Sequence, residues 1–418
     1  MKTISVIGLG NRGTEYMGFI RAMHSRKAKI VALCDIRQQA LDDFAPQYKI
    51  PKNKQFLSTE SFFSQGVLSD GLIIATQDAS HYEITKQALL TGYKMILLEK
   101  PVSGVEAEYK ELRDIAKEKN ATLIICHVLR YSNYYGRIKQ IISSGEIGDL
   151  VTINHTENVG YFHFAHSFVR GNWHDEFAST PSILAKCCHD IDLIAWFADS
   201  PCKSVSSVGE LRYFCSENAP AGATDRCMNG CKAKKNCPYD AEALYITDPF
   251  YKAKFIKFMG RTLTGKAKNS KEDIKNAIRY GDYGRCVFSC DNNVCDHQLV
   301  NMTFENGVKA VLSMNAFSDK MFRECHIVGT KGELIGRGNK LTMNIFGKRP
   351  KQVFKGPVSL GGHVEGDIRI VSGFIKLLCG ETTDLKDITT IEATVISHDI
   401  ALAAEESRKN GGTVINLL

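Results

Sequence analysis

No apolar run in the 418-residue sequence approaches the ~18 residues that a membrane-spanning helix requires, so no membrane partner is expected. The N-terminus enters an apolar strand at once, without the basic, apolar and small-residue succession of a secretory signal, which predicts a cytoplasmic protein. Basic residues do not gather in one stretch. The formal charge of +7 is modest for this length, and lysines and arginines are interleaved with acids, which argues against nucleic acid as a partner. Internal repeats and low-complexity segments are also missing. What remains has the composition of a globular protein too long for one typical core, hence two domains. Cysteine is the exception to this ordinariness, with fourteen residues.

The chain is organised around Lys2 to Asp35. Thr3 to Ile7 form a short β-branched run that reads as a buried strand, and Gly8-Leu9-Gly10-Asn11-Arg12-Gly13 follows immediately. Tyr16, Met17, Phe19, Ile20 and Met23 then recur at helical spacing, and Ile30 to Leu33 make a second strand ending in Cys34-Asp35. Strand, glycine turn, helix, strand, acid is the dinucleotide-binding order. Gly8 permits the tight turn, Gly10 lets the backbone approach a pyrophosphate, and Gly13 lets the helix lie close to the sheet. Asn11 and Arg12 fall inside this turn, whose free N–H groups and helix dipole favour an anion. Asp35 can accept hydrogen bonds from both hydroxyls of an adenine ribose and would repel a ribose phosphate. NAD is therefore favoured over NADP, with Arg37 as a cation that softens the preference.

Strand and helix alternation continues through Gly71 to Thr76, a helix opening at Ser80-His81, Met95 to Leu98, a helix over about Val105 to Lys119, and Leu123 to Cys126. The expectation is an α/β fold whose N-terminal Rossmann domain, residues 1–126, carries six parallel strands. Residues 127–418 then form a C-terminal α+β domain. Its strand-like segments are Val151 to Asn158, Val205 to Phe214, Leu299 to Phe304, Val308 to Asn315, Cys325 to Val328, Glu333 to Gly336 and Leu341 to Phe346. Asn306-Gly307 and Lys331-Gly332 are hairpin signals, so the later strands should be antiparallel neighbours. Helices are expected at Thr180 to Phe197 and Ile391 to Lys409.

The chain resembles the glucose-fructose oxidoreductase and inositol dehydrogenase family, often written Gfo/Idh/MocA. The likeness rests on the glycine turn, Ala75-Thr76 with His81, Glu99-Lys100-Pro101, Gly145-Glu146-Ile147-Gly148, His189-Asp190-Ile191-Asp192 with Trp196, and Gly329-Thr330-Lys331-Gly332-Glu333. The resemblance implies a large, mostly antiparallel open sheet in the second domain and a homo-oligomer formed through it. It also implies reversible hydride transfer between a nicotinamide and a hydroxyl carbon of a sugar, cyclitol or glycoside. Thr76, His81 and Glu99 would line the cofactor, with Lys100 between cofactor and reacting hydroxyl.

Lys100 suits that role on chemical grounds, because the hydroxyl proton must leave as the hydride goes and a desolvated lysine is a competent base. The alternative is a surface lysine fixed by the following proline. His189 is the second catalytic candidate, against the reading of a satisfied core histidine. Many family members carry an aspartate four residues before this histidine. Here that position is Ala185, and Lys186 beside it is the third catalytic candidate, a second cation able to depress Lys100. Arg170, Trp173 and His174 combine donors with a ring that can stack on a sugar, and His127 and Arg130 are further substrate-pocket candidates. Two other readings stay open: a glycosidase or lyase that uses tightly bound NAD for transient sugar oxidation, and an NAD-sensing protein without turnover.

Seven cysteines lie between Cys215 and Cys295. A Lys-rich, weakly periodic insertion over about 219–283 carries Cys227, Cys231 and Cys237, and Cys286 follows as the sheet pattern resumes. These four would make a closed tetrahedral thiolate site for structural zinc. Buried thiols, a disulfide or an iron–sulfur cluster are the other readings.

Overall fold

A computed structural model describes residues 1–247, 259–356, 364–381 and 388–418. Residues 248–258 of the predicted insertion lie outside the described residues. The first sheet contains β1 (Lys2–Ile7), β2 (Ala28–Cys34), β3 (Gln55–Phe56), β4 (Gly71–Ile74), β5 (Met95–Leu98) and β6 (Thr122–Ile125). All pairs are parallel, in the order β3-β2-β1-β4-β5-β6. Ile4, Val6, Ile73, Ile74, Leu97 and Leu98 are fully buried. Helices cover both faces of such a sheet, which is why its strands read as unbroken apolar runs. The order reverses between β1 and β4, and the crevice beyond the carboxyl ends of strands at such a reversal is where ligands bind in doubly wound sheets. Gly8, Thr76 and Glu99 all sit just past strand ends at this edge.

The second sheet contains β7 (Leu150–Asn158), β8 (Cys202–Glu210), β9 (His297–Phe304), β10 (Lys309–Asn315), β11 (Phe322–Gly329), β12 (Gly332–Arg337), β13 (Lys340–Ile345), β14 (Lys351–Lys355) and β15 (Ile415–Asn416). Its order is β14-β13-β12-β11-β7-β10-β9-β8-β15. Hairpins form at both expected turns, β9–β10 and β11–β12. The pair β7–β10 is parallel and the others are antiparallel. The helices Ser182–Ala198 and Ile391–Lys409 pack on one face of this sheet and on each other. Val151, Val208, Leu299 and Ile335 are exposed on its strands.

Among the elements that go beyond the sequence reading are β3, β14, β15, and the helices Gln38–Tyr48, Lys271–Tyr280 and Val364–Leu378. The helix Lys271–Tyr280 starts with a capping box in which Ser270 and Asp273 satisfy each other's backbone N–H groups. The insertion also builds a satellite core, contrary to its polar composition. Cys227, Ala241, Leu244, Tyr245, Ile246, Met259, Ile274 and Ile278 bury one another together with Phe162.

The helix Val364–Leu378 packs on the first sheet. Its residues Ile370, Val371, Phe374, Ile375 and Leu378 join Ile4, Val6, Tyr16 and Ile73 in one cluster, so the C-terminal segment completes the first domain's core. The approach is close: a Cβ on Gly71 would lie 2.9 Å from the Phe374 ring. On the opposite face of the first sheet, Ile391 and Val395 pack with Ile7, Leu72 and Leu98. Thr389 clamps the last parallel strand, accepting from the Ile125 N–H at 2.7 Å.

Candidate active site

At the glycine turn, each glycine meets a different surrounding. Gly8 has φ +91°, and a Cβ there would lie 2.4 Å from the Ala75 carbonyl oxygen. Any larger residue would be both strained and obstructed. A Cβ on Gly13 would lie 2.0 Å from the Gly8 oxygen, so the helix Asn11–Met23 can start this close to the strand only with glycine. Around Gly10 a Cβ would meet nothing within 4 Å. That open space at a helix N-terminus is the cradle a pyrophosphate requires.

Asp35, 7% exposed, stands at the end of β2. It accepts from the Leu9 N–H at 2.7 Å and from the Arg37 backbone at 2.9 Å, and its carboxylate pairs with the Arg37 guanidinium at 3.0 and 3.1 Å. The acid is thereby tied to the turn and beside a cation.

Arg12 and Glu99 belong to a buried ionic network rather than standing free as cofactor contacts. The Arg12 Nε donates to Glu99 at 2.9 Å, its Nη1 donates to Glu15 at 2.8 Å, and its fork grips Asp367. Tyr16 donates to Glu99 as well. Burial alone would raise the Glu99 carboxyl, but Arg12, the Tyr16 hydroxyl and Lys100 outweigh it and hold the group below its ordinary value. His81 has a similar positioning role: its Nδ1 lies 2.6 Å from the Pro101 carbonyl and its Nε2 3.3 Å from that of Thr76. One imidazole thus ties the end of β4 to the Lys100-Pro101 corner, whose peptide bond is cis.

Lys100 projects from that corner toward the second domain. Its Nζ donates to the Ala185 carbonyl at 2.7 Å and lies 6.0 Å from the Trp173 ring centroid. Trp173 is held by its indole N–H, which donates to Asp78 at 2.7 Å. Behind the lysine lies a buried cluster of imidazoles. The His127 ring stands edge to face with His189 at 5.7 Å and with His398 at 6.1 Å. Ligating atoms of His127, Cys188 and His189 all fall within 4.8 Å of one another. Neither nitrogen of His127 has a hydrogen-bond partner among the described residues. Burial pushes His127 down to about 4, with Arg130 and Lys100 adding to the effect. His398, which accepts from the Val102 N–H at 3.0 Å, is pushed down to about 3, again chiefly by burial. Both are neutral imidazoles at neutral pH. His398 had no signal in the sequence, since a single histidine on a long amphipathic helix looks like any other.

Three candidates move away from this corner. Lys186 pairs with Glu157 on β7 at 3.2 Å, so its ammonium is neutralised there rather than set against Lys100. Arg130 makes a two-pronged ion pair with Asp192, both contacts 2.6 Å, beneath the Trp196 ring. Arg170, 3% exposed, is buried against the insertion, donating to the carbonyls of Arg285 and Tyr239, each at 2.7 Å. Both arginines are engaged by these partners. His174 turns toward Gly171, with its Nδ1 2.8 Å from that carbonyl, and toward Asp291 at the border of the insertion. Asp190, next to His189, accepts from His155 and Arg323. Burial would raise it, but Arg323 and the His155 hydrogen bond hold it well below the usual carboxylate range.

The insertion itself reaches the glycine turn. The Arg261 Nη1 donates to the Gly10 carbonyl at 3.1 Å and to the Thr14 hydroxyl, with its guanidinium 4.6 Å from the Phe44 ring centroid. The Asn11 amide donates to the Thr262 hydroxyl at 2.9 Å. Burial and the nearby Arg37 lower the Arg261 pKa. Sequence reasoning had no means of finding these contacts, because they join residues some 250 positions apart.

Profiles of an oxidoreductase family match both parts of the chain, an NAD-binding Rossmann fold over residues 2–127 and a C-terminal α/β domain over 139–417. The chain belongs to the Gfo/Idh/MocA family. Among curated members, glucose-6-phosphate 3-dehydrogenase of Bacillus subtilis is 27% identical over 37% of this chain and 41% of its own length. Inositol 2-dehydrogenase of Salmonella typhimurium is 24% identical over 48% of this chain and 55% of its own. The chain thus spans about half the length of these relatives or less. An inositol dehydrogenase homologue of Azotobacter vinelandii, solved with NAD+, superposes with a TM-score of 0.69 at 14% identity, covering 99% of this chain and 97% of that one. An oxidoreductase of Agrobacterium radiobacter, solved with NAD+, L-tartaric acid and magnesium, gives 0.68 at 15%, covering 99% and 98%. The backbone carbonyl of Ala185 receives the Lys100 ammonium. No described helix is long and apolar enough to cross a membrane.

Proposed function

We propose that the protein is an NAD-dependent dehydrogenase acting on a hydroxyl carbon of a sugar, cyclitol or glycoside. The observation that carries this reading is Lys100, which reaches from the carboxyl edge of the nucleotide sheet to the Ala185 carbonyl on the helix bearing His189, with the Trp173 ring beside it. The open cradle at Gly10 fits the dinucleotide's phosphates, Asp35 its adenine ribose, and Thr76 and Glu99 the edge where its nicotinamide would lie. When bound, the dinucleotide supplies the hydride acceptor. Lys100, in its neutral form, takes the hydroxyl proton as the carbonyl forms, and His189 passes protons between it and the substrate. Trp173, fixed by Asp78, offers a ring for the sugar face. His127 and His398 stay neutral and add no positive charge beside Lys100. Arg261 and Thr262 of the insertion close over the glycine turn.

The protein would act as a homo-oligomer, a second copy covering the apolar side chains Val151, Val208, Leu299 and Ile335 of the open sheet. Sedimentation analysis checks the assembly. The activity is tested by titrating NAD and NADP against intrinsic fluorescence and then screening sugars, cyclitols and aryl glycosides for NADH production. Release of aglycone without net NADH would replace the dehydrogenase reading with the redox-neutral one. Binding of NAD without turnover of any panel member, together with no effect of Lys100→Met on ligand-dependent fluorescence, would replace it with sensing.

A further inference from the structure

Cys227, Cys231, Cys237 and Cys286 all line one small cavity, together with Arg170, Asp240 and the backbone around Pro220 to Thr224. The four come from two stretches of chain that the fold joins in register. The Cys227 N–H donates to the Gly284 carbonyl at 3.0 Å and the Cys286 N–H to the Asp225 carbonyl at 2.8 Å, flanking a bridge between Arg226 and Arg285. Cys290 also lies near Arg170 and Cys286, but it is not part of the cavity lining. Cys290 turns its Sγ to the Cys286 carbonyl at 3.2 Å, and Cys215 directs its thiol to the Arg212 carbonyl at 3.4 Å.

A second observation concerns charge. Arg170 is almost fully buried beside the cavity, its Nη2 lies 3.5 Å from the Cys227 sulfur, and its Nη1 has no hydrogen-bond partner among the described residues. A buried guanidinium is costly unless compensated, and the cavity lining offers one buried carboxylate, Asp240. Facing four thiolates around one divalent ion, a group of net charge −2, it is compensated, and N–H donation to a ligand sulfur is the usual outer-sphere support of such centres.

We propose that these four cysteines hold a structural zinc ion. The cavity measures about 20 Å³, room for a guest the size of one ion. The thiols stand around the space without having closed on it, since the triad at His127 is the one group of described residues whose ligand atoms already crowd within 4.8 Å. A bound ion would draw the four sulfurs to about 2.3 Å from itself. Binding one Zn²⁺ releases four thiol protons to solvent and changes no oxidation state. The ion would lock the loop 227–237 to the strand-like segment at Cys286. It would also anchor Arg170, and through it the segment leading to Trp173.

The test uses the full chain purified without chelator. Elemental analysis should give about one zinc per chain, lost in Cys231→Ser and in Cys237→Ser and kept in Cys290→Ser. Limited proteolysis should then cut the two zinc-free variants within residues 219–283. Should those variants not fold, the wild-type protein remains informative. Displacing zinc with a mercurial and refilling with Co²⁺ should produce the intense near-ultraviolet sulfur-to-metal band and the visible absorption of a tetrahedral tetrathiolate. Metal-free protein with alkylatable thiols, a disulfide among the four, or iron with acid-labile sulfide would each overturn the assignment.

Discussion

The glycine turn and the lysine corner share the carboxyl edge of one parallel sheet, yet they are built in opposite ways. The turn comes from one continuous stretch, Ile7 to Asp35, and its working parts are backbone N–H groups, empty space at Gly10 and one acid. The corner draws Lys100, His127, Trp173, His189 and His398 from five separate places in the chain. It is made of side chains, three of them held by other elements: Lys100 by the Ala185 carbonyl, Trp173 by Asp78, His398 by Val102. Phosphates ask only for donors and room, which a local turn can supply. Proton transfer asks for a group at a set distance and a set basicity, which only convergence of distant segments can supply.

The largest effect expected from that division is at the corner. Lys100→Met should lower turnover by the ~10²–10⁴-fold of a lost general base while leaving the dissociation constant for NAD nearly unchanged. Stopped-flow rates beside fluorescence titration check this, and near-normal turnover would sink the assigned role. At the turn the effect should be smaller and should fall on affinity instead. Asp35→Ala should weaken NAD on the order of tenfold by removing charge-assisted hydrogen bonds, and should move the NAD to NADP preference toward NADP. An unchanged ratio would place Asp35 away from the ribose.

Arg261→Ala tests whether the insertion serves the turn. A few-fold rise in the dinucleotide dissociation constant with unchanged turnover at saturating cofactor is the expected result. A purely scaffolding role for Arg261 predicts no change in either quantity.

The smallest effect concerns pH. His127 and His398 are buried neutral, with pKa values of about 4 and about 3, and His166 is likewise pushed down to about 3 by burial and by Arg170. Histidines in the unfolded chain take up protons near pH 6.5. The stability these groups confer is therefore fully present above that value and is lost as the pH falls from about 6.5 toward 4. The melting temperature should drop by a few degrees over that range, and His398→Gln should flatten the slope. A slope that His398→Gln leaves untouched would mean the imidazole cluster is not what titrates.

How much of this could be read in the sequence follows the same division. Strand, turn, helix and acid lie within thirty-five residues, and their spacing alone points to the nucleotide site. The hairpins at Asn306-Gly307 and Lys331-Gly332 were legible for the same reason, since each turn lies between the two strands it joins. The pairing of Arg130 with Asp192 and of Lys186 with Glu157 was not, because a charged residue near a motif looks like a ligand contact until its partner is known. The burial of Arg170 against the insertion was not legible for the same reason. The helix Val364–Leu378 escaped because its apolar face answers to a sheet made hundreds of residues earlier. The satellite core of the insertion escaped because a few apolar residues spread over a Lys-rich stretch show no period.

That C-terminal helix has a consequence for how the molecule comes into being. Phe374 and its neighbours fill the space over Ile4, Val6 and Ile73, and Asp367 receives Arg12 from the first helix. During synthesis the nucleotide-binding half leaves the ribosome first, with that apolar surface uncovered, and must wait for residues 364–409 before it can close. A chain interrupted anywhere before them would expose an unfinished sheet, and the cell would meet it as a substrate for chaperones or proteases rather than as half an enzyme.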